Sequence, residues 1–160
     1  MDGDNQLEKQ QYAEEVGIFL EQSGMPRMAG RVLGWLTVAE PPHQTMTNLT
    51  EALQASKGSI STMTRLLIQI GLIERISLPG QRRDYFRIKA DTWDQKLKES
   101  LEQTTAFRQL SERGLELVKD AENSNRRWLK EMRDMYIFFE QELPAMLERW
   151  EKKSGKKHTR

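Results

Sequence analysis

The sequence has no cysteine among its 160 residues. That absence excludes a disulfide scaffold, a thiolate zinc site and a cysteine nucleophile. Histidine is scarce too: His43 and His158 stand far apart without companions at metal-ligand spacing, so both read as solvated side chains. No apolar run approaches the ~20 residues that span a bilayer. The N-terminal "MDGDNQLEKQQ" is acidic and polar, unlike a signal peptide. A cytoplasmic protein without membrane association is expected. The motifs of catalysis are missing as well, with no glycine-rich phosphate loop, HExxH, GxSxG or Ser/His/Asp arrangement. Carboxylate pairs such as Glu14-Glu15 lie in a charged helical pattern, where solvation explains them. No catalytic residue, metal or cofactor is expected, and the chain does not read as an enzyme.

What the chain does have is charge, unevenly placed. Its formal net charge is +1, yet residues 1–24 carry six acids against Lys9 alone, a local −5. Residues 57–89 carry Lys57, Arg65, Arg75, Arg82, Arg83, Arg87 and Lys89 against Glu74 and Asp84, a local +5. Physiological salt screens charges beyond ~8 Å. A polyanion therefore feels this cluster rather than the global balance.

Apolar periodicity divides the chain. Leu7, Ala13, Val16, Phe19 and Leu20 predict an amphipathic helix over 7–20, ended by Ser23-Gly24. A second helix over 26–39 starts at Pro26 and carries Met28, Val32, Trp35, Leu36 and Ala39. Gly30 and Gly34 are costly inside it and point to close packing against a neighbour. "EPPHQ" stops it, and a short helix over 48–54 follows with Thr47 as N-cap. Ser56 then caps a helix from Lys57 to Ile70, with Gly71 in the left-handed position beyond. Ile60, Met63, Leu67 and Ile70 share its buried face; Lys57, Gly58, Ser61, Thr62 and Arg65 share the opposite one. After Gly71 the period becomes two: Ile76 and Leu78, then Phe86 and Ile88, alternate with polar residues around a Pro79-Gly80 turn. Helix, short helix, longer helix and basic hairpin is the order of a winged helix-turn-helix.

Downstream, Leu97, Leu101, Thr104, Phe107, Leu110, Leu117 and Ala121 outline a long amphipathic helix, interrupted at Glu122–Asn125. Leu129, Met132, Tyr136, Phe139, Leu143, Met146 and Trp150 outline another, at the alternating spacing of a coiled-coil seam. Trp128 and Met135 widen that stripe, and Pro144 is expected to kink it. The tail "EKKSGKKHTR" is charged and aperiodic and is predicted to be disordered.

The chemistry follows from dimensions. A B-DNA major groove, ~12 Å wide, admits one α-helix. Side chains on the inserted face must be short and polar, as Ser61 and Thr62 are, and Gly58 lets the backbone come near. Lys57 and Arg65 suit phosphates or guanine edges. Arginines beside a projecting turn suit phosphates or a minor groove. The candidate DNA-binding residues are therefore Ser56, Lys57, Gly58, Ser59, Ser61, Thr62 and Arg65 on the helix, and Gln81, Arg82, Arg83 and Arg87 on the wing. Each residue alone also fits an ordinary solvated helix face or edge strand. The coincidence of face and hairpin favours nucleic acid.

The block "LTEALQASKGSISTMTRLLIQIGLIERISLPGQRRDYFRI" resembles the winged-helix region of the MarR superfamily, specifically its GbsR-like branch of regulators related to the repressor of glycine-betaine synthesis. "GMPRMAGRVLGWL" upstream and "YIFFEQELPAMLERW" downstream are similar to the same branch, so the likeness covers most of the chain. It implies a homodimeric bacterial transcription factor, usually a repressor, whose chain ends both contribute helices to the dimer base. It also implies that the helix beginning at Lys57 is the recognition helix and that the segment around Arg82 and Arg83 is the wing.

The expected fold is thus mainly α with a small β-wing. An N-terminal helix (1–24) precedes a winged helix-turn-helix DNA-binding domain (25–90), a helical dimerisation region (91–150) and a disordered basic tail (151–160). Recognition helix 57–70 would enter the major groove while wing 75–89 meets flanking backbone or minor groove. Independently, residues 91–150 offer more apolar stripe than a small winged-helix domain covers, which calls for a second copy and a palindromic operator. Trp35, Trp93, Trp128, Tyr136 and Trp150 are enough to line a cavity for a small-molecule effector, for instance a quaternary ammonium, although aromatics at helical spacing more commonly form core or interface. The competing reading is a winged-helix module for protein docking that does not bind DNA. Apolar anchors would mark it, where this face offers Lys, Ser, Thr and Arg.

Overall fold

The computed structural model describes residues 2–120 and 124–155. It divides into an N-terminal unit, Met1–Thr92, and a C-terminal unit, Trp93–Arg160. The N-terminal unit contains α1 (Asp2–Gln22), α2 (Arg27–Val38), β1 (Gln44–Thr45), α3 (Met46–Leu53), α4 (Lys57–Gln69), β2 (Ile73–Ser77) and β3 (Asp84–Ile88). The C-terminal unit contains α5, from Thr92 at the boundary to Leu117, and α6 (Ser124–Ser154). Among the described residues no helix is long and apolar enough to cross a membrane.

The first two helices meet through small residues. A Cβ added at Gly30 would lie 2.7 Å from Gly17 Cα, and one at Gly34 would lie 3.0 Å from Ala13 Cα. The glycines of α2 thus allow the close packing that their cost inside a helix implied. Sequence periodicity had placed Leu7 and Phe19 on the packed side of α1, but they are 64% and 67% exposed. Ala13, from the same pattern, is buried as expected, and Gly17 is buried beside it, because a backbone-close contact selects small residues rather than large ones.

Thr45 caps α3, two residues before the expected Thr47. Its hydroxyl accepts from the Asn48 N–H at 3.1 Å while Asn48 Oδ1 accepts from the Thr45 N–H at 3.0 Å. This reciprocal box satisfies two otherwise orphaned donors and so fixes the earlier start. Between α3 and α4 the chain turns at Gln54, which is left-handed at φ 49. That conformation costs a non-glycine residue roughly 1–2 kcal/mol. Ser56 caps α4 as expected, accepting from the Ser59 N–H at 3.2 Å, and Gly71 is left-handed at φ 75.

The sheet has three antiparallel strands in the order β1-β3-β2. Ile73 pairs with Ile88 and Ser77 with Asp84, so β2 begins two residues before the expected wing boundary at Arg75. β1, too short to show a period, was not anticipated. The core joins Ala29, Val32, Trp35 and Leu36 of α2 with Leu49, Leu53, Ile60, Leu67, Ile73 and Phe86. Thr64 is also buried, its hydroxyl donating to the Ile60 and Ser61 carbonyls.

In the C-terminal unit α5 and α6 run antiparallel. Phe107 stacks on Tyr136 with centroids 5.1 Å apart, Arg108 Nε donates to Glu140 at 2.6 Å, and Trp150 Nε1 donates to Asp94 at 3.0 Å. A hydrogen bond from Thr105, with Arg108 beside it, holds the Glu140 carboxyl below the ordinary range. α6 runs to Ser154, so the disorder expected from residue 151 is corrected for 151–154. Lys152 pairs with Glu148 one turn back, and cations suit the negative end of the helix dipole. Residues 156–160, Ala121 and Glu122 lie outside the described residues.

Candidate nucleic-acid interface

Burying Ile60, Thr64 and Leu67 turns the other side of α4 outward. Lys57, Gly58, Thr62 and Arg65 are exposed, with Ser59 and Ser61 half-buried beside them. A Cβ at Gly58 would meet nothing within 4 Å, so this part of the helix has open space before it. Thr62 Oγ1 donates to the Gly58 carbonyl at 3.0 Å, and Arg65 Nε donates to the Ser61 carbonyl at 3.3 Å. Both side chains therefore lie along the helix. The Ser56 hydroxyl is engaged in capping, which gives that residue a structural task as well.

The hairpin turns at Leu78-Pro79-Gly80-Gln81, closed by the Gln81 N–H to the Leu78 carbonyl at 3.0 Å. Proline second and a left-handed Gly80 (φ 76) third suit a type II turn. Gln81 at the end of the turn and Arg82 and Arg83 just past it are all exposed. Asp84 is 3.5 Å from Arg75 rather than bound to either tip arginine, and Arg87 Nε is 2.7 Å from its cross-strand partner Glu74. Two cations of the basic segment are thus locally balanced. Lys57, Arg65, Arg82, Arg83 and Lys89 have no ion pair among the described residues, leaving the excess positive charge on α4, the wing tip and the end of β3.

An open cleft of about 640 Å³ joins α4 to the sheet, lined by Arg65, Ile68, Gln69, Ile73, Glu74, Arg75 and Lys89. Of these only Arg65 belonged to the expected site. Gln69, Arg75 and Lys89 line the same cleft, and the charge count over 57–89 already held Arg75 and Lys89.

A short helix, a tight turn, a second helix with a small polar face and an adjoining cationic hairpin define the winged helix-turn-helix class of DNA-binding domain. Comparison with known proteins narrows the class. The MarR family matches residues 23–84, and the MmpR5-like MarR family transcriptional regulators match residues 91–153. The HTH-type transcriptional regulator MmpR5 of Mycobacterium tuberculosis is 37% identical over 145 residues, covering 91% of this chain and 88% of that protein. The HTH-type transcriptional repressor OpcR of Bacillus subtilis is 31% identical over 78 residues, covering 49% of this chain and 42% of that one. A crystal structure of a transcriptional regulator has 36% identity and a TM-score of 0.75, covering 91% of this chain and 99% of its own. The chain belongs to the MarR family and is a winged-helix transcriptional regulator.

Proposed function

We propose that this regulator binds a palindromic operator in double-stranded DNA as a cytoplasmic homodimer and acts as a repressor. α4 enters the major groove by its Lys57–Arg65 face, and the wing lies against flanking phosphates or the minor groove. The observation that carries this reading is the small, polar, outward face of α4 beside two wing-tip arginines that have no ion pair among the described residues. The same face is mostly small and polar, with Ile68 alone among its exposed residues as a large apolar side chain at the far end, which is little for protein docking. The finer placement in the GbsR-like branch rests on the three sequence blocks quoted above.

Helix and wing divide the work. Arg82 and Arg83 sit beside a turn without a rigid frame for reading base edges, so they supply affinity more than sequence choice. Arg87, held by Glu74, is secondary to them. Replacing Arg82 and Arg83 with alanine should weaken binding to operator and random duplexes by similar factors. It should also flatten the slope of log K against log[salt] by roughly 0.9 per lost phosphate contact. Substituting Thr62 should shift the preferred sequence and leave that slope in place. A double-arginine variant with an unchanged slope would remove the wing from the DNA backbone.

A further inference from the structure

The C-terminal end of α3 is held from outside the helix-turn-helix. A helix leaves its last four carbonyls without helical partners. Here all four are satisfied, and by two different means. The Thr50 carbonyl accepts from the Ala55 N–H at 3.1 Å, and the Glu51 carbonyl from the Gln54 N–H at 3.3 Å, both within the turn. The Ala52 carbonyl accepts from Gln10 Nε2 of α1 at 2.8 Å, and the Leu53 carbonyl from Arg31 Nη2 of α2 at 2.8 Å.

Arg31 is itself positioned by α1. Its Nε lies 2.7 Å from Glu14 Oε2, but the N–H is not aimed along that line, so charge rather than a directed hydrogen bond makes this link. The other carboxylate oxygen of Glu14 accepts from Arg27 Nε at 2.8 Å. Glu14 therefore ties both arginines of α2 to α1, and one of them puts a cation at the negative end of the α3 dipole. The capped carbonyls immediately precede left-handed Gln54, and Ser56, the N-cap of α4, follows two residues later.

We propose that Gln10, and Glu14 through Arg31, are positioning residues for DNA recognition: α1 caps the end of α3 and so sets the direction in which α4 leaves the turn. This rests on the reading of α4 as the recognition helix. None of the three residues lies on α4 or the wing. They act on the turn that aims the reading face, which requires a selective effect on specific binding rather than a general loss of charge attraction.

The test uses the full-length protein with Gln10→Leu, Glu14→Gln and, as rescue, Gln10→Lys, which restores an N–H donor. Amide hydrogen exchange without DNA should speed up over residues 54–60 in the first two variants while α2 keeps its protection. Operator affinity should fall by about 2- to 10-fold in each, the worth of one net hydrogen bond. Random-duplex affinity and the salt slope should stay at wild-type values, and Gln10→Lys should recover operator binding. Unchanged operator affinity in both variants would overturn the proposal, as would equal losses on random DNA with a shallower slope. Exchange rising equally in α2 would reduce the contacts to general stability and overturn it too. A wild-type protein that does not discriminate operator from random DNA would instead defeat the reading of α4, while the exchange data would still report whether the cap holds the turn.

Discussion

Arg65 and Leu67 stand two positions apart on α4 and face opposite ways, the first exposed and the second fully buried. Among the described residues Arg65 has only a 3.3 Å bond to a carbonyl of its own helix, which water replaces at little cost. Arg65→Ala should therefore leave the urea midpoint in place and weaken operator binding, by about 1–3 kcal/mol if the guanidinium reads a guanine. Leu67→Ala removes methyl groups from the centre of the core and should lower unfolding free energy by about 2–5 kcal/mol. Equilibrium unfolding and DNA titration of the two variants check both, and exchanged phenotypes would contradict the orientation of α4. Thr64 shows where residue type misleads. It is buried at the α4–core contact because its hydroxyl finds carbonyls one turn back, so its polarity goes with an inward position.

At the scale of elements, two glycines give opposite expectations for one substitution. Alanine at Gly30 puts a carbon 2.7 Å from Gly17 Cα and 3.0 Å from the Val16 carbonyl, both backbone, so α1 must move. The overpacking costs about 1–3 kcal/mol and outweighs the ~1 kcal/mol of helix propensity gained. Gly30→Ala should lower the melting temperature. Gly58→Ala meets nothing within 4 Å and should raise it while weakening DNA binding. Scanning calorimetry with DNA titration checks the pair. The same contrast explains what the sequence makes legible. α2, α4 and the long helices are readable because large apolar residues repeat at helical spacing, and Ser56 and Gly71 mark the ends of α4. The inner side of α1 is readable only in part: Ala13 and Val16 belong to its apolar pattern and do meet α2, but Gly17 carries no hydrophobic signal, and Leu7 and Phe19 point away. The wing tip is readable from Pro79-Gly80 and its arginines. The pairing of Arg87 with Glu74 depends on strand register, which alternation alone does not fix.

The whole molecule must account for the outer face of its C-terminal unit. The apolar residues of α6 fall into two sets, of which the row read from sequence supplies mainly the inner one. Leu129 lies against Gly114, Tyr136 stacks on Phe107, and Leu143 lines a groove with Thr104 and Phe107, so these three face α5. Trp128, Met135, Phe138 and Met146 remain 61%, 47%, 56% and 44% exposed, with Leu110 and Leu117 of α5 at 59% and 80%. No described residue of α6 is fully buried. An antiparallel pair thus uses one stripe and leaves the other to water. Contiguous apolar faces of this kind are uncommon on monomers and mark association sites. A twofold pairing of copies would cover the same face on both and would present two reading heads to the proposed palindrome. Sedimentation should therefore find a dimer at micromolar concentration. Met135→Glu combined with Met146→Glu places charge in that face and should shift the protein towards monomer. Because the two heads then no longer share one binding event, operator affinity should fall steeply while affinity for an isolated half-site changes little. A wild-type chain that sediments as a monomer, or a double-glutamate variant that keeps full operator affinity, would show that the exposed stripe is not what joins the copies.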